Sequence, residues 1–332
     1  MAQAPEKPVV VYGASGYTGM LIIEQLIDLG IPFIAAGRDA KRIKANLAER
    51  VAGLENGIYD VVEVSHETAA LTKVFSGAKV VCNTVGPFLR YYRETAQACL
   101  DAGCHYLDTT GEQASTMRLE QEFGASFAGK GLLLAPGISY MYVPLQIAAE
   151  LCLEQRGIDS LDCVCVPTVA PTVASANSIM VVLLEPAYFL RDNQLVEWVL
   201  GDGREVVTPG FATTNLGLPW GGTPLPQYYR DDHRVRNCTA LVGFTDRNLM
   251  ISLLQQAKQM KEQVAGKNDA ERWKMTDALC PQPHEQDAAA RTVDRISHRR
   301  PRRRARCSEG GLRHAARGDA LHRDGSLAGL CR

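Results

Sequence analysis

The feature that most constrains the fold of this chain is a glycine-rich turn near its start. The turn is Gly13-Ala-Ser-Gly16-Tyr-Thr-Gly19; it follows a run of valines, and helical spacing of apolar residues continues from it to Leu29. A strand, a glycine turn and a helix in this order are typical of a dinucleotide-binding β-α-β unit. In such a unit Gly13 permits the tight turn, and Gly16 removes a Cβ so that a diphosphate can approach the main chain. Gly19 lets the helix pack close to the sheet.

The main-chain N–H groups of this turn are the predicted phosphate ligands. Those of Ser15, Gly16, Tyr17 and Thr18 lie at a helix start, where donors lack partners within the helix and the helix dipole favours a negative charge. An alternative stays open, in which a Rossmann-like fold keeps the turn for packing only.

The first 150 residues alternate between strands and helices. Strands are predicted at residues 8–13, 31–37, 59–64, 78–85, 106–107 and 132–135, and helices at 16–29, 39–51, 67–75, 93–102 and 112–127. This alternation indicates right-handed β-α-β units and a parallel sheet. Strands that are apolar throughout indicate helices on both faces. The predicted fold class is therefore α/β, a Rossmann-type doubly wound parallel sheet in domain 1–150 with an inserted α+β second domain at 151–284.

The second domain is predicted from a change of pattern after residue 159. Strands at 162–169 and 205–207 are expected to belong to a different sheet, and an amphipathic helix spans 246–264. Because the polar face of this helix mixes both signs of charge, we expect it to cover a core rather than bind a lipid surface.

Residues 285–332 form a third segment, which is rich in arginine. From Arg295 to Arg332 the sequence contains eleven arginines and no lysine. One interpretation is a nucleic-acid-binding tail, and the other is a disordered end produced by a reading-frame error in GC-rich DNA. The absence of lysine, and of aromatic residues that would stack on bases, favours the second interpretation.

The choice of dinucleotide depends on the end of the second strand. NAD sites offer an acidic side chain to the ribose hydroxyls there, whereas this chain places Arg38, Asp39, Lys41 and Arg42 at that point. Arg38, with Arg42 behind it, is suited to hold a 2′-phosphate through its fork of donors. Asp39 is expected to cap the following helix. The sequence therefore predicts NADP, with NAD as the alternative, and a solvated surface charge stays an alternative role for Arg38.

Two further loops leave the same edge of the predicted sheet. After the fourth strand, small residues and a Gly-Pro turn would let a nicotinamide ribose lie against the backbone. The predicted contacts there are Asn83, Thr84, Val85, Gly86 and Pro87. After the fifth strand, Asp108, Thr110 and Glu112 are candidates for catalysis, with helix capping as their alternative role. Because ligands bind beyond the carboxyl ends of parallel strands, we expect both loops to border the cofactor.

Composition and charge limit the partners of the chain. A formal net charge of −1 gives no general attraction to nucleic acid or to an anionic membrane. No signal peptide is visible, and prolines and polar residues interrupt the most apolar stretch, 132–153, so a strand, a turn and a helix are expected there rather than a membrane span. Ten cysteines without a CxxC pair give no metal-site pattern and fit a reducing compartment. We therefore expect a cytoplasmic protein, compatible with a homodimer, whose partner is a small-molecule substrate.

Four segments of the first domain carry a resemblance to a known family. They are GASGYTG at 13–19, AGR at 36–38, NTVGPF at 83–88 with Tyr91, and ACLDAGCHYLDTTGE at 98–112. Together they resemble the saccharopine dehydrogenase-like superfamily, which includes saccharopine reductases and the trans-acting enoyl reductases of lipid and polyketide pathways. The resemblance implies an NAD(P)-binding Rossmann domain with an inserted α+β domain. The chain departs from the family where Tyr92 and Arg93 replace a Gly and a Glu, and where 137–144 lacks acidic residues.

The resulting expectation is an NADP(H)-dependent oxidoreductase that transfers a hydride to or from an imine, carbonyl or enoyl substrate. Tyr91 and Tyr142 are the candidate proton donors, with Tyr140 as a third, because each is expected on a loop that leaves the sheet edge. Packing in a cleft is the alternative role of these side chains. An NADP-binding sensor or scaffold without turnover is the alternative function, which the missing acidic residues at 137–144 and the arginine-rich tail favour.

Overall fold

The computed structural model describes residues 7–139, 142–166, 178–179, 181–182, 184–199, 202–207, 214–219, 223–243 and 246–279. The chain divides into two compact units, Met1–Tyr140 and Met141–Arg332. The arginine-rich segment, the Tyr140 side chain and the end of the strand predicted at 162–169 lie outside the described residues.

A parallel sheet with six strands forms the centre of the first unit. The strands are β1 Val9–Tyr12, β2 Phe33–Gly37, β3 Tyr59–Glu63, β4 Val80–Asn83, β5 His105–Asp108 and β6 Leu134–Ala135. Their order is β3-β2-β1-β4-β5-β6, and each neighbouring pair is parallel. The order reverses between β1 and β4, which is where a doubly wound sheet forms its ligand crevice.

Helices cover both faces of this sheet. They are α1 Tyr17–Asp28, α2 Ala40–Arg50, α3 Thr68–Phe75, α4 Phe88–Ala102 and α5 Gln113–Gly129. Val9 and Val11 of β1 pack in a core with buried residues of α1 and α2. Val10 and Tyr12 face the opposite way, into a core with α3, α4 and α5. The predicted fold class, a doubly wound parallel sheet of Rossmann type, is confirmed.

Helix α4 begins earlier than the sequence predicts. It starts at Phe88 rather than at residue 93, because the buried carboxylate of Glu112 accepts hydrogen bonds from the main-chain N–H groups of Phe88 and Leu89, at 2.9 and 2.7 Å. These donors would otherwise lack partners in the first turn of the helix. Tyr91 consequently lies on a helix, and its predicted position on a loop is wrong.

The second unit contains a mixed sheet with helices, which agrees with the predicted α+β organisation. Its elements are α6 Val143–Leu153, β7 Ser160–Cys165, β8 Ala187–Arg191, β9 Gln194–Trp198, β10 Arg204–Val206, β11 Asn215–Gly217, α7 Leu225–Tyr228, β12 Asn237–Val242, α8 Arg247–Val264 and α9 Asp269–Leu279. Four strands form a sheet in the order β7-β12-β8-β9, and β10 pairs with β11. Strand β12 is parallel to β7 and antiparallel to β8.

Helix α8 corresponds to the amphipathic helix predicted at 246–264. Its apolar face is buried through Met250, Ala257, Met260 and Val264, so it covers a core as expected. Within the described residues, no helix combines the length and the apolar character that crossing a membrane requires.

Candidate dinucleotide-binding site

The glycine turn between β1 and α1 leaves no room for side chains at two of its three glycines. Gly13 has a φ of +92°, and a Cβ on it would lie 2.5 Å from Thr84 Oγ1. A Cβ on Gly19 would lie 2.6 Å from the carbonyl oxygen of Gly13. At Gly16 the corresponding distance to the same oxygen is 3.2 Å. Gly16 is exposed, so a ligand can approach its main chain closely.

The main-chain donors of this turn divide into used and unused groups. The N–H groups of Gly13 and Ala14 both donate to Ala36 O, and that of Gly16 donates to Gly13 O at 2.9 Å. Gly16 is therefore not an available phosphate donor, which corrects the prediction for its N–H. In the part of the chain that the structure describes, the N–H groups of Ser15 and Thr18 have no acceptor. Helix α1 also begins without a side-chain cap.

Contacts from two neighbouring elements hold the turn in place. The Thr84 hydroxyl, directly after β4, donates to the carbonyl oxygens of Tyr12 and Gly13, at 2.9 and 3.2 Å. From α2, Asn46 Nδ2 donates to Ser15 O at 2.9 Å. Thr84 was predicted as a cofactor contact, and Asn46 was not predicted at all, because its contact joins residues far apart in the sequence. The turn is thus held before any ligand binds.

Arg38 stands at the carboxyl end of β2 with an exposed side chain. The next residue, Asp39, caps α2 by accepting a hydrogen bond from the N–H of Arg42 at 2.9 Å, so its predicted capping role is confirmed. The Arg42 side chain is also exposed. Two exposed arginines therefore follow β2, and the acidic side chain between them already caps the helix.

The loop after β4 carries the remaining predicted cofactor contacts. The side chain of Asn83 is buried and engaged at both ends: Nδ2 donates to Tyr106 Oη at 3.2 Å, and Oδ1 accepts from Val85 N at 3.0 Å. Asn83 thus shapes the loop, and the parts open to a ligand are Val85, Gly86 and Pro87, which are partly or fully exposed. The peptide bond between Gly86 and Pro87 is cis.

A buried carboxylate organises the loops after β5 and β6. Asp108 accepts hydrogen bonds from Tyr106 Oη at 2.6 Å, from Thr110 N at 2.9 Å and from Gly137 N at 2.8 Å. Burial raises the pKa of Asp108 to about 6, against the effect of these three hydrogen bonds. Glu112 and Thr110 are equally engaged, since Thr110 Oγ1 accepts from Glu112 N at 3.0 Å and Glu112 caps α4. Glu112 takes the alternative role that the sequence left open, because it caps a helix, α4. Asp108 and Thr110 bond within the loop, and α5 begins without a side-chain cap.

A cluster that the sequence did not indicate lies beside the end of β1. The imidazole of His66, which follows β3, bonds through Nδ1 to Tyr12 Oη at 2.8 Å, and the two rings are parallel. The Tyr91 ring meets the His66 ring edge-on, with 5.0 Å between centroids. His66 Nε2 lies 3.4 Å from Glu94 Oε2. Tyr12 ends β1 and Arg38 follows the end of the adjacent parallel strand β2, so the cluster lies at the same edge of the sheet as Arg38.

The two tyrosines predicted as proton donors fall in different units. Tyr91 is half-buried in the first turns of α4, whereas Tyr142 is buried and precedes α6 in the second unit. Their catalytic roles stay predictions. The described residues contain no group of three or more His, Cys, Asp or Glu side chains arranged to hold a metal ion.

The residues of the first unit fit a dinucleotide phosphate. The glycine turn offers bare main chain, and the N–H groups of Ser15 and Thr18, at a helix start, have no acceptor among the residues that the structure describes. Such a helix start, with its dipole, favours an anion. The exposed Arg38 lies beyond the neighbouring strand, where a 2′-phosphate on the adenosine ribose is recognised in folds of this type.

Two family models match the chain. The model described as "Saccharopine dehydrogenase NADP binding domain" matches residues 9–127. The model described as "Family of unknown function (DUF5938)" matches residues 145–312, which is half of the chain. The second match extends into the arginine-rich segment that the sequence analysis sets apart at 285–332.

Three relatives illustrate what the chain is similar to. A lipid droplet localized protein of Caenorhabditis elegans is 27% identical over 43% of this chain and 35% of its own length. A trans-acting enoyl reductase of Mycobacterium ulcerans is 35% identical over 32% of this chain and 26% of its own. A saccharopine dehydrogenase-like oxidoreductase of Mus musculus is 25% identical over 42% of this chain and 35% of its own. The chain thus aligns with about a third or less of the length of these relatives.

Proposed function

Because this chain belongs to the family described as a family of unknown function (DUF5938), and because its first unit is a saccharopine dehydrogenase-like NADP-binding domain, we propose that it is an NADP(H)-dependent oxidoreductase. The proposed reaction transfers a hydride to or from an imine, carbonyl or enoyl group. One observation carries the proposal. Among the described residues, the N–H groups of Ser15 and Thr18 in the glycine turn have no acceptor, and the exposed Arg38 lies at the same edge of the sheet, after the neighbouring strand β2.

The proposed roles of the residues follow their positions. Ser15 and Thr18 donate their N–H groups to the diphosphate, and Arg38 binds the 2′-phosphate through its fork of donors. Val85, Gly86 and Pro87 border the nicotinamide ribose, since they follow the strand on the other side of the switch point. When bound, NADPH supplies the hydride.

The loops that border the reaction are proposed to be fixed by buried acids. Asp108 connects the loops after β5 and β6, and Glu112 fixes the start of α4. A loop held in this way can keep a substrate in one orientation and limit the access of water. The proton that accompanies the hydride is assigned to Tyr91 or Tyr142, as the sequence predicts.

The relatives support an oxidoreductase without fixing the substrate. One of them is named as an enoyl reductase and another as a saccharopine dehydrogenase-like oxidoreductase. Because the chain aligns with only part of each relative, the activity of a relative cannot be transferred to this chain. The proposal therefore keeps imines, carbonyls and enoyl groups as substrate classes. A cytoplasmic location is also part of the proposal.

A second candidate function is an NADP-binding sensor without turnover. It is favoured by the departure from the family at Tyr92 and Arg93, because both side chains now bond to Glu122 Oε1, at 2.7 and 2.9 Å. The residues that replace the family's Gly and Glu are therefore used to join α4 to α5 and are not free to act on a substrate.

Fluorescence titration with NADPH, followed by NADPH oxidation against a panel of imines, ketones and enoyl thioesters, separates the two functions. Arg38→Asp is expected to weaken NADPH binding far more than NADH binding. Gly16→Val is expected to abolish the binding of both dinucleotides. Lys44→Asp, on an exposed position of α2, is the control for the change of charge. Turnover on one substrate class supports the enzyme, and tight binding with no turnover supports the sensor. Equal NADPH binding by the parent and all variants would contradict both proposed functions.

A further inference from the structure

The side chain of Tyr91 packs against a histidine that is itself fixed. The edge of the Tyr91 ring meets the His66 imidazole, with 5.0 Å between the ring centroids. His66 Nδ1 is hydrogen-bonded to Tyr12 Oη at 2.8 Å, the two rings are parallel, and His66 Nε2 lies 3.4 Å from Glu94 Oε2. Both Tyr91 and His66 stay partly exposed. They form an aromatic pair that is held in place and is open to a ligand.

His66 lies on the β3 side of the switch point between β1 and β4. It follows β3, the outermost strand on that side, and the exposed Arg38 follows β2, the next strand. A dinucleotide lies across the crevice at the switch point, with one nucleotide half on each side. Because Arg38 is proposed to bind the 2′-phosphate of the adenosine ribose, the adenosine half belongs to the side on which His66 lies.

Two consecutive side chains of α4 contact different neighbours. Tyr91 meets His66, whereas Tyr92 Oη donates to Glu122 Oε1 of α5 at 2.7 Å. Helix α5 follows β5, and β5 lies on the opposite side of the switch point from β3. The Tyr91 ring is therefore directed toward the adenosine side and away from α5, which follows the loop proposed to border the reaction.

On the basis of the proposed function, we propose that Tyr91 and His66 form part of the adenine site, and that Tyr91 binds the base instead of donating the proton. Aromatic rings attract each other and nucleobases through stacking and edge contacts. The aromatic pair can therefore bind the adenine of NADPH and of NADH alike, while Arg38 distinguishes the two by the 2′-phosphate. Of the two tyrosines predicted as proton donors, this leaves Tyr142.

Binding of adenosine 2′,5′-bisphosphate to the full chain tests this assignment without turnover, because the probe contains adenine and the 2′-phosphate but no nicotinamide. Tyr91→Leu is expected to raise the Kd of the bisphosphate, of NADPH and of NADH by the same factor. That factor is about tenfold, which corresponds to one base–aromatic contact of about 1.4 kcal/mol. Tyr91→Phe keeps the ring, so it should bind all three ligands as the parent does.

A control and a second measurement make the test specific. Gln97→Leu changes another residue of α4 and removes an exposed hydrogen bond to Asp101, so it should bind the bisphosphate like the parent. NMR of the full chain with labelled tyrosines does not require the Tyr91→Leu variant to fold. The Tyr91 ring signals, identified by their absence from Tyr91→Phe, should shift when the bisphosphate is added, because the adenine ring lies next to them.

Two binding results would overturn this inference alone. They are a Tyr91→Leu variant that binds the bisphosphate as tightly as the parent, and Tyr91 ring signals that do not move in the complex. Loss of NADPH oxidation in Tyr91→Phe with unchanged binding would also overturn it, because that is the behaviour of a proton donor. Failure of the parent to bind NADPH and the bisphosphate would overturn the proposed function, and this inference with it.

Discussion

The carboxylate of Glu112 lies 2.7 Å from the main-chain nitrogen of Leu89 and caps a helix that begins 24 residues earlier in the chain, at Phe88. Glu112 is only 2% exposed, so the charge is stabilised by two N–H groups and by the positive end of the α4 dipole. The start of α4 directly follows the loop proposed to border the nicotinamide ribose. One side chain therefore connects the loops after β4 and β5.

Replacing Glu112 by Ala should reduce stability markedly. The change leaves two N–H groups in the first turn of α4 without acceptors, and the expected loss is about 2 to 3 kcal/mol in the free energy of unfolding. Urea denaturation followed by circular dichroism measures it. Glu67→Ala is the control, because Glu67 is exposed and its side chain makes no capping bond to α3. A loss of stability no larger than that of the control would contradict the role assigned to Glu112.

The carboxyl group of Asp108 should make stability depend on pH with an unusual sign. Its pKa is raised by burial to about 6 in the folded state, from an ordinary value of 3.8. Between these values the folded chain binds more protons than the unfolded one, so stability contributed by this group is present at low pH and is lost as pH rises toward 6 and above. The loss amounts to about 3 kcal/mol.

The variant Asp108→Asn isolates this effect from that of the other titrating groups. It removes the charge, and an Asn side chain retains the oxygen that accepts from Thr110 and Gly137. The stability difference between the variant and the parent should therefore shift in favour of the variant as pH rises from 4 to 7. Denaturation midpoints at several pH values measure it, and a difference that stays constant with pH would show that Asp108 does not titrate in this range.

Substituting two glycines that have a left-handed backbone distinguishes backbone strain from steric crowding. Gly13→Ala introduces both, because its φ is +92° and the new Cβ would lie 2.5 Å from Thr84 Oγ1. Gly30→Ala introduces only backbone strain, because φ is +66° and no atom of the described residues lies within 4 Å of the new Cβ. We expect Gly30→Ala to cost about 1 kcal/mol and Gly13→Ala about 3 kcal/mol or more, together with loss of NADPH binding. Thermal denaturation compares them, and equal costs would mean that the turn tolerates a side chain.

The Asn46 amide should contribute to dinucleotide binding. It holds Ser15 O from α2, and its loss frees the turn that presents the Ser15 N–H. Asn46→Ala is expected to raise the Kd of NADPH and of NADH alike by about fivefold, which corresponds to one hydrogen bond of about 1 kcal/mol. Asn56→Ala, at an exposed residue of the first unit, is the control in the same fluorescence titration. An unchanged Kd in Asn46→Ala would show that the turn does not need this support.

The fold of the first unit could be predicted because its signals are local. The valines before Gly13 mark a buried strand, the glycine spacing marks the turn, and Asp39 caps α2 within three residues of its own position. Each signal lies inside one element or at its end. The right-handed connection of parallel strands then restricts the topologies that this alternation can adopt.

The parts that the sequence did not reveal depend on contacts between distant residues. The start of α4 depends on Glu112, and the His66 cluster joins residues that are 54 positions apart. Neither leaves a periodic pattern, because a single side chain from another element supplies the missing partner. For the same reason Asn83 was predicted as a cofactor contact, whereas its side chain is buried between Tyr106 and Val85.

The central claim is that the main chain of the glycine turn binds the diphosphate of NADP and that Arg38 binds its 2′-phosphate. A crystal structure of the full chain with NADP⁺ tests it most directly. The account predicts diphosphate oxygens within hydrogen-bond distance of the nitrogens of Ser15 and Thr18, and the 2′-phosphate against the Arg38 guanidinium. NADP⁺ bound elsewhere, or a turn whose N–H groups are covered by protein side chains in the complex, would contradict it.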